Sequence, residues 1–172
     1  MSEYIAVVKW ERGSQPFSDY RYSRAHSWRF DGGVEVAASA SPSIVPIPMS
    51  RADAVDPEEA FVAAVSSCHM LCFLSVAAKS GFIVDSYEDH AVGVMNKNPE
   101  GKLAITRVTL EPLAVFSGTS IPAKDDVVRM HHQAHDQCFI ASSVLTEIVC
   151  KPREENRPNQ PMQPTRASGA RG

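Results

Sequence analysis

One stretch limits the fold more than any other: residues 56–78, which read DPEEAFVAAVSSCHMLCFLSVAA. Its opening predicts a helix N-terminus. Asp56 accepts from the free backbone donors of the first turn, and Pro57 has no N–H to leave unpaired. Glu59, three residues after the cap, bonds back to it, and both Glu58 and Glu59 favour the positive end of the helix dipole. After Glu59 no acid or base follows until Lys79, apart from His69. Apolar residues fall on every face, so the helix needs cover on every side. The uncharged run 60–78 approaches the length of a membrane span. Ser66, Ser67, His69 and Ser75 within it are costly in lipid, so a buried helix of a cytoplasmic protein is expected and no membrane association. Met1-Ser2-Glu3-Tyr4 has neither a basic start nor a small-residue cleavage site, and no secretory signal is expected.

The remaining chain supplies strands. Residues 3–10 are β-branched and aromatic, and residues 20–30 and 34–38 flank an Asp31-Gly32-Gly33 turn; all three predict strands, the last two as a hairpin. Three prolines (Pro42, Pro46, Pro48) make residues 39–55 an extended loop. Gly81 is placed to end the central helix. Residues 82–96 and 102–116 read as two long strands joined by the turn-rich 96–101. Residues 122–137 read as a second helix, with Val127, Val128, Met130, His131 and Ala134 on its apolar side, and 143–151 as a last strand. Strands in antiparallel runs, not in alternating βαβ units, predict an α+β fold. One sheet of about six strands covers only one side of the central helix, so a second copy of the chain is expected to cover the rest. The 172 residues suffice for one domain. That domain is expected to span 1–151, with a disordered tail at 152–172 holding four prolines and four arginines. A net charge of −3 without clustered Lys and Arg excludes a nucleic-acid surface.

Four cysteines, Cys68, Cys72, Cys138 and Cys150, are the candidate chemistry. In a cytosolic chain they are expected to be free or catalytic, and a buried thiol often acts as a small hydrophobe, which is the reading for Cys72 and Cys150. Cys68 and Cys72, four apart on a helix, are poorly oriented for a disulfide. Cys68 lies about 15 Å along the axis from Glu58, beyond reach of the helix dipole. A reactive Cys68 would then need a cation from elsewhere, with Arg21, Arg24 and Arg29 as candidates. Glu58 and Cys68 share a site only if two copies of the helix pack antiparallel.

The run Asp56-Pro57-Glu58-Glu59-Ala60, continuing to Ser66-Ser67-Cys68-His69-Met70, resembles the signature of the OsmC/Ohr family, the osmotically inducible and organic hydroperoxide resistance proteins. Ala134-His135-Asp136-Gln137-Cys138 resembles its second cysteine motif, and the resemblance covers residues 3–151. It implies antiparallel sheets wrapped around two long central helices in an intertwined homodimer. It also implies a thiol peroxidase without cofactor. Cys68 would be the peroxidatic thiolate for an organic hydroperoxide, with hydrogen peroxide a second candidate oxidant. Cys138 would resolve the sulfenic acid to a disulfide, and an external dithiol would reduce it. Glu58 and Arg24 would activate the thiolate. Two features depart from the pattern: Cys138 is followed by Phe139 instead of proline, and Cys68 by His69, which points to an OsmC-like branch.

Two other readings compete. His131, His132, His135 and Cys138 lie at helical spacing and could hold Zn²⁺. A non-enzymatic redox sensor or small-ligand-binding domain would use the same thiols without turnover.

Overall fold

The computed structural model describes residues 1–154. Its elements run β1 (Ala6–Lys9), β2 (His26–Phe30), β3 (Glu35–Ala38), α1 (Pro57–Lys79), β4 (Ile83–Asp89), β5 (Val92–Lys97), β6 (Leu103–Leu110), β7 (Pro112–Ser117), α2 (Lys124–Gln137), a 3₁₀ turn (Ala141–Ser143) and β8 (Glu147–Cys150). The α+β class expected from the sequence is the class observed.

Helix α1 forms as its sequence dictates. Glu59 N–H donates to Asp56 Oδ1 at 2.8 Å and Asp56 N–H to Glu59 Oε2 at 3.4 Å, a complete capping box with Pro57 in the first turn. At the other end Gly81 takes φ +81°, and the N–H groups of Gly81 and Phe82 close on the carbonyls of Ala78 and Ala77. That pairing is a Schellman motif, and only glycine adopts its left-handed residue without a Cβ penalty. A stripe of Val65, His69, Phe73, Val76 and Ala77 is buried.

The sheets depart from expectation in four ways. Among the described residues there is no six-stranded sheet: the strands form sets of three (β1-β2-β3), two (β4-β7) and three (β5-β6-β8). The two long strands each break once. His90 and Ala91 separate β4 from β5, and Glu111 separates β6 from β7, so one half of each pairs in a different sheet. Asp89 Oδ1 accepts from Glu111 N–H at 2.6 Å and ties the two breaks together. The last strand is parallel to β6, not antiparallel, because β7 and α2 intervene as a crossover. The expected strand at 20–30 begins only at His26, since residues 20–25 are held by side-chain bonds to a loop.

Helix α1 packs on α2, β4, β5 and β6. One core centres on Phe73, Phe116, Met130 and Ala134, and a second on Val65, Val108 and Leu110. Gly93 lets β5 approach α1 closely: a Cβ there would lie 2.5 Å from Val62 Cγ2. Beyond residue 151, Arg153 donates from its backbone to Pro112 O and from Nε to Glu111 O, both at 2.7 Å, so packing continues past the boundary expected from the sequence. The rest of the tail expected to be disordered lies outside the described residues.

Among the described residues, cover for α1 is incomplete. The helix is long and apolar enough to cross a membrane, yet only 28% of its most apolar stretch is buried. Leu71 is 61% exposed. A groove of about 830 Å³ follows the side of α1 lined by Glu58, Val62, Ser66 and Met70.

Candidate functional site

Cys68 and Cys72 lie one turn apart on α1 and meet the end of α2, where Cys138 occupies the C-cap. All four cysteines are free thiols. The backbone beyond α2 folds over Cys138. Ala141 N–H donates to its Sγ at 3.4 Å, and Ser142 donates to its carbonyl from N–H at 3.0 Å and from Oγ at 3.1 Å. This turn holds the Phe139 and Ile140 amides toward α1.

The electrostatics of Cys68 follow from that arrangement. Burial pushes its thiol pKa up. The Cys138 thiol, the Ile140 and Phe139 amides and the Cys72 thiol all favour the thiolate, and their sum wins, leaving the pKa below the ordinary cysteine value. Cys138 moves the opposite way. Burial, and its bond to the Cys68 thiolate, raise it to about 11. Cys72 is also raised, by burial and then by the charge on Cys68, and its Sγ donates to Gln137 O at 3.5 Å. The cluster therefore contains one thiol poised to ionise and two poised to stay protonated and donate to it. That division suits attack by one sulfur on an electrophile and subsequent attack on it by a neighbour.

Within one chain, the groups that favour the Cys68 thiolate are hydrogen-bond donors, two of them backbone amides. Sequence reading missed them because every residue carries an amide; only the fold aims it. Arg24 lies in the loop before β2, donates to the Tyr20 and Tyr22 carbonyls, and rests over the Tyr22 ring at 3.7 Å. Tyr20 reverses this loop at φ +61°. Arg24 shares a concave surface with Pro57, at the start of α1, and Glu58 lies in the same first turn, half-buried. Both therefore stand at the end of α1 remote from Cys68 of their own chain. Arg21 and Arg29 are exposed.

The zinc grouping read from sequence also does not assemble. His132 and His135 are exposed, Cys138 faces Cys68, and His131 turns inward toward His69. His69 and His131 are 1% and 2% exposed, their rings hydrogen-bonded from Nε2 to Nδ1 at 2.9 Å. Cys150 Sγ lies 3.7 Å from His69 Nε2. Burial holds both imidazoles neutral, His69 down to about 4 and His131 to about 3, and pushes the Cys150 thiol up to about 12. Spacing gave no signal for this cluster, because its members come from α1, α2 and β8.

Comparison with known proteins adds the following. The family profile described as OsmC-like protein matches residues 50–153. A solved structure of an OsmC-like protein of unknown function from Vibrio cholerae shares 56% identity, covering 89% of this chain and 100% of its own, with a TM-score of 0.87. The organic hydroperoxide resistance protein OhrB of Bacillus subtilis shares the fold at 16% identity, covering 90% of this chain and 98% of its own, with a TM-score of 0.63. An organic hydroperoxide resistance protein OsmC from Legionella pneumophila does so at 15% identity, covering 90% and 97%, with a TM-score of 0.62. No curated protein matches.

Proposed function

The chain belongs to the OsmC-like protein family, and on that premise we propose that it is a cytoplasmic thiol-dependent peroxidase that reduces organic hydroperoxides to alcohols. The observation that carries this reading is the apposition of Cys68 on α1 to Cys138 at the end of α2, with the first thiol lowered and the second raised in pKa. The Cys68 thiolate attacks the distal peroxide oxygen, the O–O bond breaks, and the alkoxide leaves and takes a proton to become the alcohol. Cys68 is then a sulfenic acid. Cys138 sulfur attacks it, water leaves, and a Cys68–Cys138 disulfide forms. An external dithiol supplies two electrons and two protons to restore both thiols.

The same reading includes a homodimer in which α1 of one copy lies antiparallel to α1 of the other. The poorly covered, apolar α1 favours it. Glu58 and Arg24, both at the start of the helix, would then come to Cys68 of the partner and assist its ionisation. Their distance from their own Cys68, about 15 Å along the axis for Glu58, supports that assignment.

Steady-state consumption of cumene hydroperoxide with a dithiol is the test. Cys68→Ser abolishes it, and Cys138→Ser gives one equivalent of alcohol and a trapped sulfenic acid. Full turnover by Cys68→Ser overturns the assignment, and consumption that stops at one equivalent in the wild type identifies a sensor. Mixing Cys68→Ser with Arg24→Ala subunits restores one working site per mixed dimer; no recovery would place Arg24 with its own Cys68 or outside the site.

A further inference from the structure

We propose that His69, His131 and Cys150 form a buried site for one Zn²⁺ ion, separate from the Cys68–Cys138 pair. One potential ligand atom from each residue falls within 4.8 Å of the other two. Among the described residues no other group of His, Cys, Asp and Glu converges in this way. The separations suit a single ion. Zn–N bonds of about 2.0–2.1 Å and Zn–S of about 2.3 Å at tetrahedral angles put ligand nitrogens about 3.3 Å apart and nitrogen and sulfur about 3.6 Å apart. The chain holds His69 Nε2 and His131 Nδ1 at 2.9 Å, and His69 Nε2 and Cys150 Sγ at 3.7 Å. Small side-chain movements, without a change of backbone, would open the space for the ion.

The chemistry of the donors points the same way. Two imidazoles and a thiolate are borderline-to-soft ligands, suited to zinc and not to magnesium or calcium. Metal-free, the pair is an incomplete hydrogen-bonding unit. One bond joins two ring nitrogens, and the outer ones, His69 Nδ1 and His131 Nε2, are buried with no partner among the described residues. Whichever tautomers are chosen, one of those outer atoms is a stranded N–H and the other a stranded lone pair. With both inner nitrogens on an ion, both outer atoms become N–H donors. A carboxylate lies close to hand: Asp89 is anchored to α1 one turn before His69, accepting from Ser66 Oγ at 2.5 Å and from Glu111 N–H at 2.6 Å. Carboxylates commonly support metal-bound imidazoles, and this one would offset the single positive charge left by Zn²⁺ and one thiolate. His131 also lines a cavity of about 300 Å³. The Cys150 proton leaves when the metal binds.

The ligands come from α1, α2 and β8, so the ion would pin three elements that no hydrogen-bond ladder joins. The test uses the reduced full-length chain, stripped of metal and titrated with Zn²⁺, with X-ray absorption at the zinc edge and thermal melting. The expected result is one equivalent bound per chain, a shell of two imidazole nitrogens and one sulfur, and a rise in Tm. The Cys68→Ser/Cys138→Ser double variant keeps all three. Cys150→Ser and His131→Gln lose affinity by more than the roughly 10–100-fold of an outer-shell change. A shell with two or more sulfurs, or loss of binding in the double variant, would place the ion on the thiol cluster and overturn the proposal. So would the absence of stoichiometric binding by the wild type. If Cys150→Ser does not fold, the wild-type shell and the double variant still decide. These readouts are independent of peroxide turnover, so either reading can fail without the other.

Discussion

Cys68 and His69 are adjacent in the chain but belong to clusters of opposite character. Cys68 lies among two other thiols and two amides, partly open to solvent, and its neighbours favour its charged form. His69 lies among a second imidazole, a thiol and a stacked Phe73–His131 pair at 4.1 Å, almost fully buried, and its neighbourhood forbids charge. Cys68 and Cys150 extend the contrast to the same functional group: one thiol is lowered and the other raised to about 12. A side chain's reactivity therefore depends less on its type than on whether donors face it before burial becomes complete. One hundred degrees of helix rotation separate the two outcomes.

The largest effect that can break this comparison is on turnover. Cys68→Ser removes peroxide consumption by at least about 10³-fold, as loss of a nucleophile does, while Cys150→Ser keeps it within a few-fold. Equal losses measured by steady-state kinetics would mean that the clusters are one site. Alkylation against pH comes next. Cys68 reacts with iodoacetamide at a pH below the ordinary cysteine range, Cys138 ionises only near pH 11, and Cys150 near pH 12 or on unfolding. The sign is fixed by the direction of each shift: a lowered pKa puts the reactive thiolate at lower pH. Peptide mass spectrometry of the labelled chain would expose any reversal of that order.

Packing distinguishes the regions more modestly. Phe73 is fully buried and forms one wall of the imidazole cluster. Phe73→Ala is expected to cost about 3–5 kcal/mol of stability by leaving a cavity, read from the midpoint of urea unfolding. A cost under 1 kcal/mol would show that the His69 side is not the rigid one. The smallest effect tests what the clusters share. Asp56→Ala removes the cap of α1 and is expected to cost about 1 kcal/mol, lowering Tm while leaving the order of thiol reactivity intact.

Much of this was legible before any coordinates. The DPEE start, the uncharged run and Gly81 defined α1, and each acts within a few residues of itself. Its apolar faces also raised the expectation that one chain would not cover it, and Leu71 is exposed among the described residues. The strands were read less well. Whether residues 82–96 form one strand or two depends on Asp89 bonding to Glu111, twenty-two positions away. Sequence periodicity holds no record of such a bond. The rotation of β8 into a parallel pairing likewise depends on where α2 crosses.

The same divide runs through the sites. The sequence by itself determined which helix carries Cys68 and Cys72, and that Glu58 is too far from Cys68 to serve it within one chain; its family resemblance singled out Cys68 and Cys138 as the pair to examine. Only the tertiary structure decided what surrounds Cys68, because its stabilising amides belong to a turn seventy residues later and carry no side-chain signature. It alone decided that His131 turns away from His132 and His135 to meet His69 and Cys150. The physical reason is range. Caps, turns and apolar runs act over a few residues, while the field and solvation that set a pKa are summed over whatever the fold brings within a few ångströms.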